Sequence, residues 1–237
     1  MAAPFQCKQF AIHQDRCAMK VGTDGLLLGA VTSIVNNPSA ILDIGAGTGL
    51  LALMLAQRSE AITIDAIELD ENAYEQCVEN FEASPWGDRL FCYHASFEEF
   101  YFEMDESYDL IISNPPFYKE LVSSGNVSRD QARQNNALPF SQLFEGVSRL
   151  LSPQGSFSLI IPFSEEENIL ALAKDKGLYP FDILRIRGNT SAPIKRTIAQ
   201  FSFVKKEIFK RELVIEEKRH QFTEDYIQLT KEFHLKM

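Results

Sequence analysis

A chain of 237 residues with 45% hydrophobic and 24% charged residues has the composition of a globular protein and can bury a core without disulfides. A membrane span is excluded because no stretch approaches the roughly 20 apolar residues it needs, and the N-terminus lacks the apolar segment of an export signal. The net charge of -10 argues against a generally basic nucleic-acid binder. We therefore expect one cytoplasmic domain over residues 1–237.

The charge is unevenly distributed along the chain. From Glu60 to Asp109 there are 15 acidic residues and one base, Arg89, whereas from Arg185 to His220 there are ten bases and four acids. This pattern indicates either a face that meets a polyanion or basic residues that only solvate edge strands. The four cysteines form no CxxC pair and have no histidine at metal-ligand spacing, so we expect reduced thiols and no metal.

Apolar runs alternate with helical patterns along the chain. A helix after Gly22, capped by Thr23 or Asp24, is followed by strands at 40–45, 61–69, 89–95, 108–113 and 156–163 and helices at 50–59, 71–84, 96–103, 139–151 and 164–177. Asp70 is the expected cap of the 71–84 helix, and Gly177 the residue that ends the 164–177 helix. Continuous apolar strands alternating with helices predict a parallel sheet covered on both faces.

The pattern changes after this alternation. Runs at 181–188, 197–206 and 209–217 have little helix between them, and we interpret them as antiparallel strands added to one edge of the sheet. A last helix is expected near 225–233. The predicted fold class is therefore α/β, with a Rossmann-like, mostly parallel sheet of seven strands, helices on both faces and antiparallel C-terminal strands. Ligands of such sheets bind at the carboxyl ends of the strands.

The first strand ends in a glycine-rich turn, LDIGAGTGL, which contains Asp43, Gly45, Gly47 and Gly49. Glycines here allow a ligand to approach the backbone. Glu68 ends the next strand, 19 residues past Gly49, which is about where Rossmann-type folds place an acid that binds ribose hydroxyls. A tight turn and a surface acid are the plain alternatives, but together the two features predict a nucleoside cofactor.

The charge of this predicted site favours S-adenosylmethionine over a dinucleotide. A pyrophosphate would need basic residues, whereas these loops contain Asp43, Glu68 and Asp70 and no Lys or Arg. Acids suit a cationic sulfonium and an ammonium group. Ser96 and Phe97, after the third strand, are expected near the adenine, where Phe97 either stacks on the ring or belongs to the core.

The fourth strand ends in Asn114, Pro115, Pro116 and Phe117. The prolines hold the loop rigid, so the Asn114 amide oxygen and the Pro115 carbonyl can accept both hydrogens of a planar amino group. Accepting both would turn the nitrogen lone pair toward a methyl donor, with Phe117 flat against the substrate ring. The alternative is a proline-rich turn with a core phenylalanine.

LDIGAGTG, IE and SNPPF together resemble the class I S-adenosylmethionine-dependent methyltransferases that methylate exocyclic or amide nitrogens. FQCKQFAIHQDRCAMKVGTDGLLLGA (Phe5–Ala30), KRTIAQFSF (Lys195–Phe203) and YIQLTKEFHLKM near the C-terminus are similar to the bacterial tRNA-valine adenine-N6 methyltransferase family. That resemblance implies methylation of the adenine 3′ of the anticodon. The family motif often has Tyr at the position of Phe117, so a hydroxyl contact would be lost here.

The resemblance also implies roles for parts of the chain. Residues 1–38 would cap the cofactor, with Lys20, Thr23 and Asp24 over its methionine end, and 39–163 would form the cofactor-binding and catalytic core. The basic strands within 164–237 and the basic N-terminal segment are candidate RNA faces because of their charge. Candidate contacts to the tRNA anticodon stem-loop are Arg129 and Arg133, in the Asn/Gln/Arg-rich segment 126–136, and Lys195 and Arg196. A monomer is favoured.

The same sequence features are compatible with other functions. The same acceptor pair would serve a glutamine side-chain amide in a release factor, although such enzymes usually carry a helical domain ahead of the core, or a guanine 2-amino group in ribosomal RNA. A non-catalytic RNA-binding module is a different class, which the intact Asn114 disfavours. A nicotinamide oxidoreductase is disfavoured by the glycine spacing.

Overall fold

The computed structural model describes residues 3–116 and 138–234. The strands in these ranges are β1 Phe5–Gln6, β2 Ala11–Ile12, β3 Ala40–Ile44, β4 Thr63–Glu68, β5 Leu90–His94, β6 Tyr108–Ser113, β7 Leu151–Pro162, β8 Tyr179–Asn189, β9 Ile194–Ser202, β10 Phe209–Lys218 and β11 Gln221–Phe222. The helices are α1 Thr23–Val31, α2 Leu50–Arg58, α3 Glu71–Glu82, α4 Phe97–Glu103, α5 Phe140–Leu150, α6 Glu166–Asp175 and α7 Glu224–Thr230, with a 3₁₀ turn at Phe163–Glu165. No described helix is long and apolar enough to cross a membrane.

One large sheet forms the centre of the fold, in the order β11-β10-β8-β9-β7-β6-β3-β4-β5. The strands from β5 to β7 are parallel. The helices α1, α2, α3 and α7 contribute apolar side chains to the core on one face, and α4, α5 and α6 to the core on the other. The predicted α/β fold class is confirmed, because near-continuous apolar strands need cover on both faces.

Three details of the sheet differ from the prediction. In the described residues the large sheet has nine strands rather than seven, because all three predicted C-terminal strands join the five parallel ones and the short β11, which was not predicted, extends the edge. The run 209–217 is not antiparallel to its neighbour: β10 pairs parallel with β8, whereas β9 lies antiparallel to both β7 and β8. Strand β7 begins at Leu151 rather than at residue 156. Leu151 pairs with Tyr108, and residues 152–155 form an irregularity inside the strand before Ser156 pairs with Leu110.

The predicted helix ends have mixed outcomes. Asp70 caps α3, accepting a hydrogen bond from the Ala73 amide at 2.9 Å, and Gly177 has the left-handed φ of 72° expected of a terminating glycine. The expected cap of α1 is wrong: Gly22 occupies the cap position, and no side chain accepts a hydrogen bond there.

Two further sets of contacts secure the N-terminal hairpin and the end of α2. The N-terminal β1–β2 hairpin is continued by a bridge from Cys7 to His234. Arg89, just before β5, donates hydrogen bonds from its guanidinium to the carbonyl oxygens of Ala56, Ser59 and Ala61. Arg89 therefore closes the C-terminal end of α2 by satisfying carbonyls that a helix end leaves open.

Candidate active site at the carboxyl ends of the central strands

The register of the sheet brings three predicted site residues to one level. Ile44 on β3 lies opposite Ile67 on β4 and opposite Ser113 on β6. The next residue on each strand is therefore Gly45, Glu68 and Asn114, side by side at the carboxyl edge. Parallel strands make this alignment possible because their carboxyl ends meet at the same edge.

The three glycines of the turn after β3 all have left-handed backbone angles, with φ of 75°, 55° and 80° at Gly45, Gly47 and Gly49. A Cβ at Gly45 or Gly47 would meet no atom within 4 Å, whereas one at Gly49 would lie 2.6 Å from the Phe81 ring. The first two glycines therefore border open space, and the third allows α2 and α3 to pack closely.

Glu68 is anchored by backbone donors. Its Oε2 accepts a hydrogen bond from the Gly47 amide at 2.7 Å, and its Oε1 accepts one from the Asp70 amide at 2.8 Å. The half-buried carboxylate is thus fixed beside the glycine turn, where it can accept hydrogen bonds from hydroxyl groups.

Asp43 is completely buried at the end of β3. Its Oδ2 accepts a hydrogen bond from the Ala52 amide at 3.2 Å, but its Oδ1 has no partner in the described part of the chain. Burial raises the pKa of Asp43 to about 7, and the negative charge of Glu68 also raises it. An unpaired buried carboxylate oxygen is costly, and a cationic ligand would remove that cost.

Asn114 supplies a second buried oxygen without a partner, its side-chain Oδ1. Ser113, just before it, donates a hydrogen bond from Oγ to the Ile44 carbonyl at 2.9 Å, which ties the end of β6 to β3. A Cβ at Gly25 in α1 would lie 2.8 Å from Leu50 and 3.8 Å from Nδ2 of Asn114. Glycine at this position therefore lets α1 pack closely on Leu50 of α2, while Asn114 would lie at an ordinary contact distance. Phe117 lies outside the described residues.

Lys20, Thr23 and Asp24, the residues predicted to cover the cofactor, differ in their exposure and contacts. Lys20 and Thr23 are exposed, and Asp24 is half-buried. Asp24 forms an ion pair at 2.8 Å with Arg196, a residue predicted to contact RNA. The structure thus joins one predicted cofactor residue to one predicted substrate residue.

Ser96 and Phe97 have structural roles at the start of α4. Ser96 caps the helix in a reciprocal arrangement with Glu99. Phe97 is buried, packs edge-to-face on Tyr101 with ring centroids 5.3 Å apart, and fills the space above Gly146. Of the two interpretations of Phe97, the structure supports the core.

Two buried amides on α3 were missed by the sequence reasoning. Asn80 donates hydrogen bonds to the carbonyls of Thr48 and His13, both at 2.9 Å, and accepts one from the His13 amide. Gln76 accepts a hydrogen bond from the Arg16 amide and donates one to Asp15. The available signal was their spacing of four residues on the apolar face of the helix, because polar residues on a buried face need partners.

The predicted RNA contacts are less well defined. Arg129 and Arg133 lie outside the described residues, and Lys195 is exposed at the start of β9. Within the basic segment, Arg185, Arg187 and Arg211 form ion pairs with Glu166, Glu212 and Asp182. These three of the ten bases in the segment are therefore paired with carboxylates and are less available to phosphate.

Comparison with known proteins identifies the class. Residues 20–162 match the methyltransferase small domain family, so the chain belongs to that family of enzymes. A predicted O-methyltransferase from Agrobacterium tumefaciens has a similar fold, with a TM-score of 0.66 at 19% identity over 89% of this chain and 96% of that one.

Full-length relatives define the family more narrowly. A protein from Christiangramia forsetii is 57% identical over 99% of this chain and 98% of its own length. One from Flavobacterium johnsoniae is 56% identical over 98% of this chain and 100% of its own. Both are named tRNA1(Val) (adenine(37)-N6)-methyltransferase, and the chain belongs to this family.

Proposed function

We propose that this protein transfers a methyl group from S-adenosylmethionine to the exocyclic 6-amino group of an adenine in the anticodon loop of a tRNA-valine. The observation that carries the proposal is the alignment of Asn114 with Gly45 and Glu68, in a chain whose relatives are named for methylating adenine 37 of tRNA1(Val).

The residues present fit S-adenosylmethionine. Asp43 has a buried carboxylate oxygen without a partner among the described residues, which suits an ammonium group. Glu68 would accept hydrogen bonds from the ribose hydroxyls, and the open space at Gly45 and Gly47 would admit a ligand against the backbone. When bound, the cofactor supplies an electrophilic methyl group on its sulfonium.

Asn114 and Pro115 would hold the amine that receives the methyl group. The Asn114 Oδ1, which has no partner in the described chain, and the Pro115 carbonyl would each accept one hydrogen of the adenine amino group. Both hydrogens are then held in fixed directions, which aims the nitrogen lone pair and stabilises positive charge as it develops on nitrogen. The amine becomes acidic when it acquires that charge, so water can take the proton and no side-chain base is required.

A tRNA anticodon loop suits a site of this kind because its bases are single-stranded and can be turned outward at lower cost than bases in a duplex. Lys195, exposed at the start of β9, Arg129 and Arg133 are proposed phosphate contacts. Arg196 is proposed to act together with Asp24, with which it forms an ion pair.

Incubation of the protein with an unmodified tRNA-valine transcript and methyl-labelled cofactor tests the proposal. Digestion to nucleosides should give labelled N6-methyladenosine. A labelled N2-methylguanosine would identify the other base, and the absence of labelled nucleoside while the cofactor binds would reject the assignment.

A further inference from the structure

Phe163 is an exposed aromatic residue close to the proposed amine site. It directly follows β7, which pairs with β6 so that Leu159 lies opposite Ser113. Phe163 therefore extends three residues past the level of Asn114, which is about 10 Å at about 3.3 Å per residue. Its side chain is 37% exposed, although nearby apolar residues of β7 are fully buried.

A rigid cation lies against the Phe163 ring. The guanidinium carbon of Arg185 is 5.4 Å from the ring centroid, within the range of a cation–π contact. Arg185 donates two hydrogen bonds to Glu166, at 3.1 and 2.6 Å. The orientation of the guanidinium is therefore fixed independently of the aromatic ring.

Glu166 is also fixed by a residue of β9. It is buried, and Thr197 Oγ1 donates a hydrogen bond to its Oε2 at 2.7 Å. Burial alone would raise the pKa of Glu166, but the hydrogen bonds and charge of Arg185 and the hydrogen bond from Thr197 keep it below its ordinary value. The supporting carboxylate is therefore ionised at neutral pH, and it offsets the charge of Arg185.

We propose that Phe163, backed by Arg185, is a stacking platform for a nucleobase that flanks the target adenine. The platform rests on the proposed function, because it defines how the RNA is held beside that site. An aromatic face binds any base by stacking, and the neutralised Arg185 makes this a site for a base ring rather than for phosphate. Lys195, next to the β9 residue that pairs with Pro162, lies where the adjoining backbone would pass.

Steady-state methylation of an anticodon stem-loop RNA tests the platform. Phe163→Ala should raise KM for the RNA at least about fivefold, which is the lower end of what a stacked base contributes, with kcat and cofactor affinity nearly unchanged. Phe163→Tyr should behave like the wild type. Phe102→Ala is the matched control, because Phe102 is 63% exposed and has Arg149 at 4.9 Å from its ring centroid, but lies on α4.

Removing the partner base separates stacking from a general structural effect. Two RNAs are compared, one lacking the base on the 5′ side of the target and one lacking the base on the 3′ side. One of them should have a raised KM with the wild type, and its KM should be the same with Phe163→Ala. An unchanged KM for Phe163→Ala, or the same loss on both abasic RNAs, would overturn the platform.

A binding measurement separates the platform from the proposed function. RNA with 2-aminopurine at the flanking position should lose fluorescence on binding the wild type and Phe163→Tyr, but not on binding Phe163→Ala. Quenching without methylation would support the platform while rejecting the proposed reaction, and equal quenching by Phe163→Ala would reject the platform whether or not methylation occurs.

Discussion

Asp24 and Arg196 are 172 residues apart in the chain, yet Oδ2 of Asp24 lies 2.8 Å from Nε of Arg196. The first residue lies in the opening turn of α1 and the second near the start of β9. This ion pair connects the segment expected over the cofactor to the strand expected to meet RNA. A ligand that moves Asp24 would therefore also move Arg196, and a ligand that moves Arg196 would move Asp24.

The pair should show measurable coupling. The side chains of Arg196 and Asp24 are 20% and 32% exposed, so we expect a double-mutant cycle with alanine to give a coupling free energy of about 0.5–1 kcal/mol in urea unfolding. The more exposed pair Arg149–Glu145, at 46% and 33%, is the control and should give about 0.3–0.5 kcal/mol. Strictly additive effects of Asp24→Ala and Arg196→Ala would contradict the coupling.

Asn114→Ala should abolish turnover without weakening cofactor binding. The variant removes an acceptor that is used as charge develops on the amine, so kcat is expected to fall at least about 10²–10³-fold. The measurements are kcat with the stem-loop RNA and calorimetric titration with S-adenosylhomocysteine. Asn168→Ala, at an exposed position on α6, is the control; substantial activity in Asn114→Ala would refute the acceptor mechanism.

Asp43 should make cofactor affinity depend on pH. Its pKa is raised to about 7 by burial, and an ammonium group binds the ionised form. Affinity should therefore fall up to about tenfold per pH unit below that pKa and level off near it. Titration with S-adenosylhomocysteine from about pH 5.5 to about 7, where an α-amino group is still mostly protonated, tests this.

The same carboxyl predicts the direction of a stability change. Because the folded-state pKa lies above the unfolded value, the folded protein binds the proton more tightly, and its free energy of unfolding should fall as pH rises from about 4 to about 7. Asp43→Asn should flatten both the affinity and the stability profiles. Equal slopes in wild type and variant would show that another group titrates.

Gly47→Ala and Gly49→Ala should separate ligand binding from packing. Both positions need a left-handed backbone, which costs a side chain about 1–2 kcal/mol. Only Gly49→Ala also meets Phe81, adding about 1–3 kcal/mol of overpacking. Gly49→Ala should therefore lower the unfolding midpoint more, whereas Gly47→Ala should mainly weaken cofactor binding; the reverse order would be inconsistent with this structure.

The sequence predicted the parts of the fold that depend on local pattern. Apolar runs located the five parallel strands because strands buried on both faces must be continuously apolar, and Asp70 was recognisable as a helix cap from its position. The parallel pairing of β10 with β8 was not predictable, because strand direction is decided by which edge the chain returns to. Residues 152–155, between the predicted helix and the predicted strand, were not recognised as part of β7, because the pairing of Leu151 with Tyr108 is a non-local contact.

Within the site, residue types were easier to predict than partners. The levels of Gly45, Glu68 and Asn114 followed from strand ends alone. The pairing of Arg196 with Asp24 did not, since both were assigned by charge and resemblance to separate ligands. The support that Asn80 gives to Thr48 depends on which helix faces which loop, and that is a property of tertiary packing.

The hydrogen bonds of Arg89 to backbone carbonyls have a consequence for encounters with RNA. Arg89 is the only base from Glu60 to Asp109, and its guanidinium is occupied by three carbonyl oxygens. The stretch that carries β4, α3, β5 and α4 thus has no other cation of its own to attract phosphate. If RNA is the substrate, as proposed, this acidic stretch should disfavour encounters on its side of the protein and favour encounters at the opposite edge of the sheet. Added salt should weaken this orientation preference, because it screens the repulsion between exposed charges.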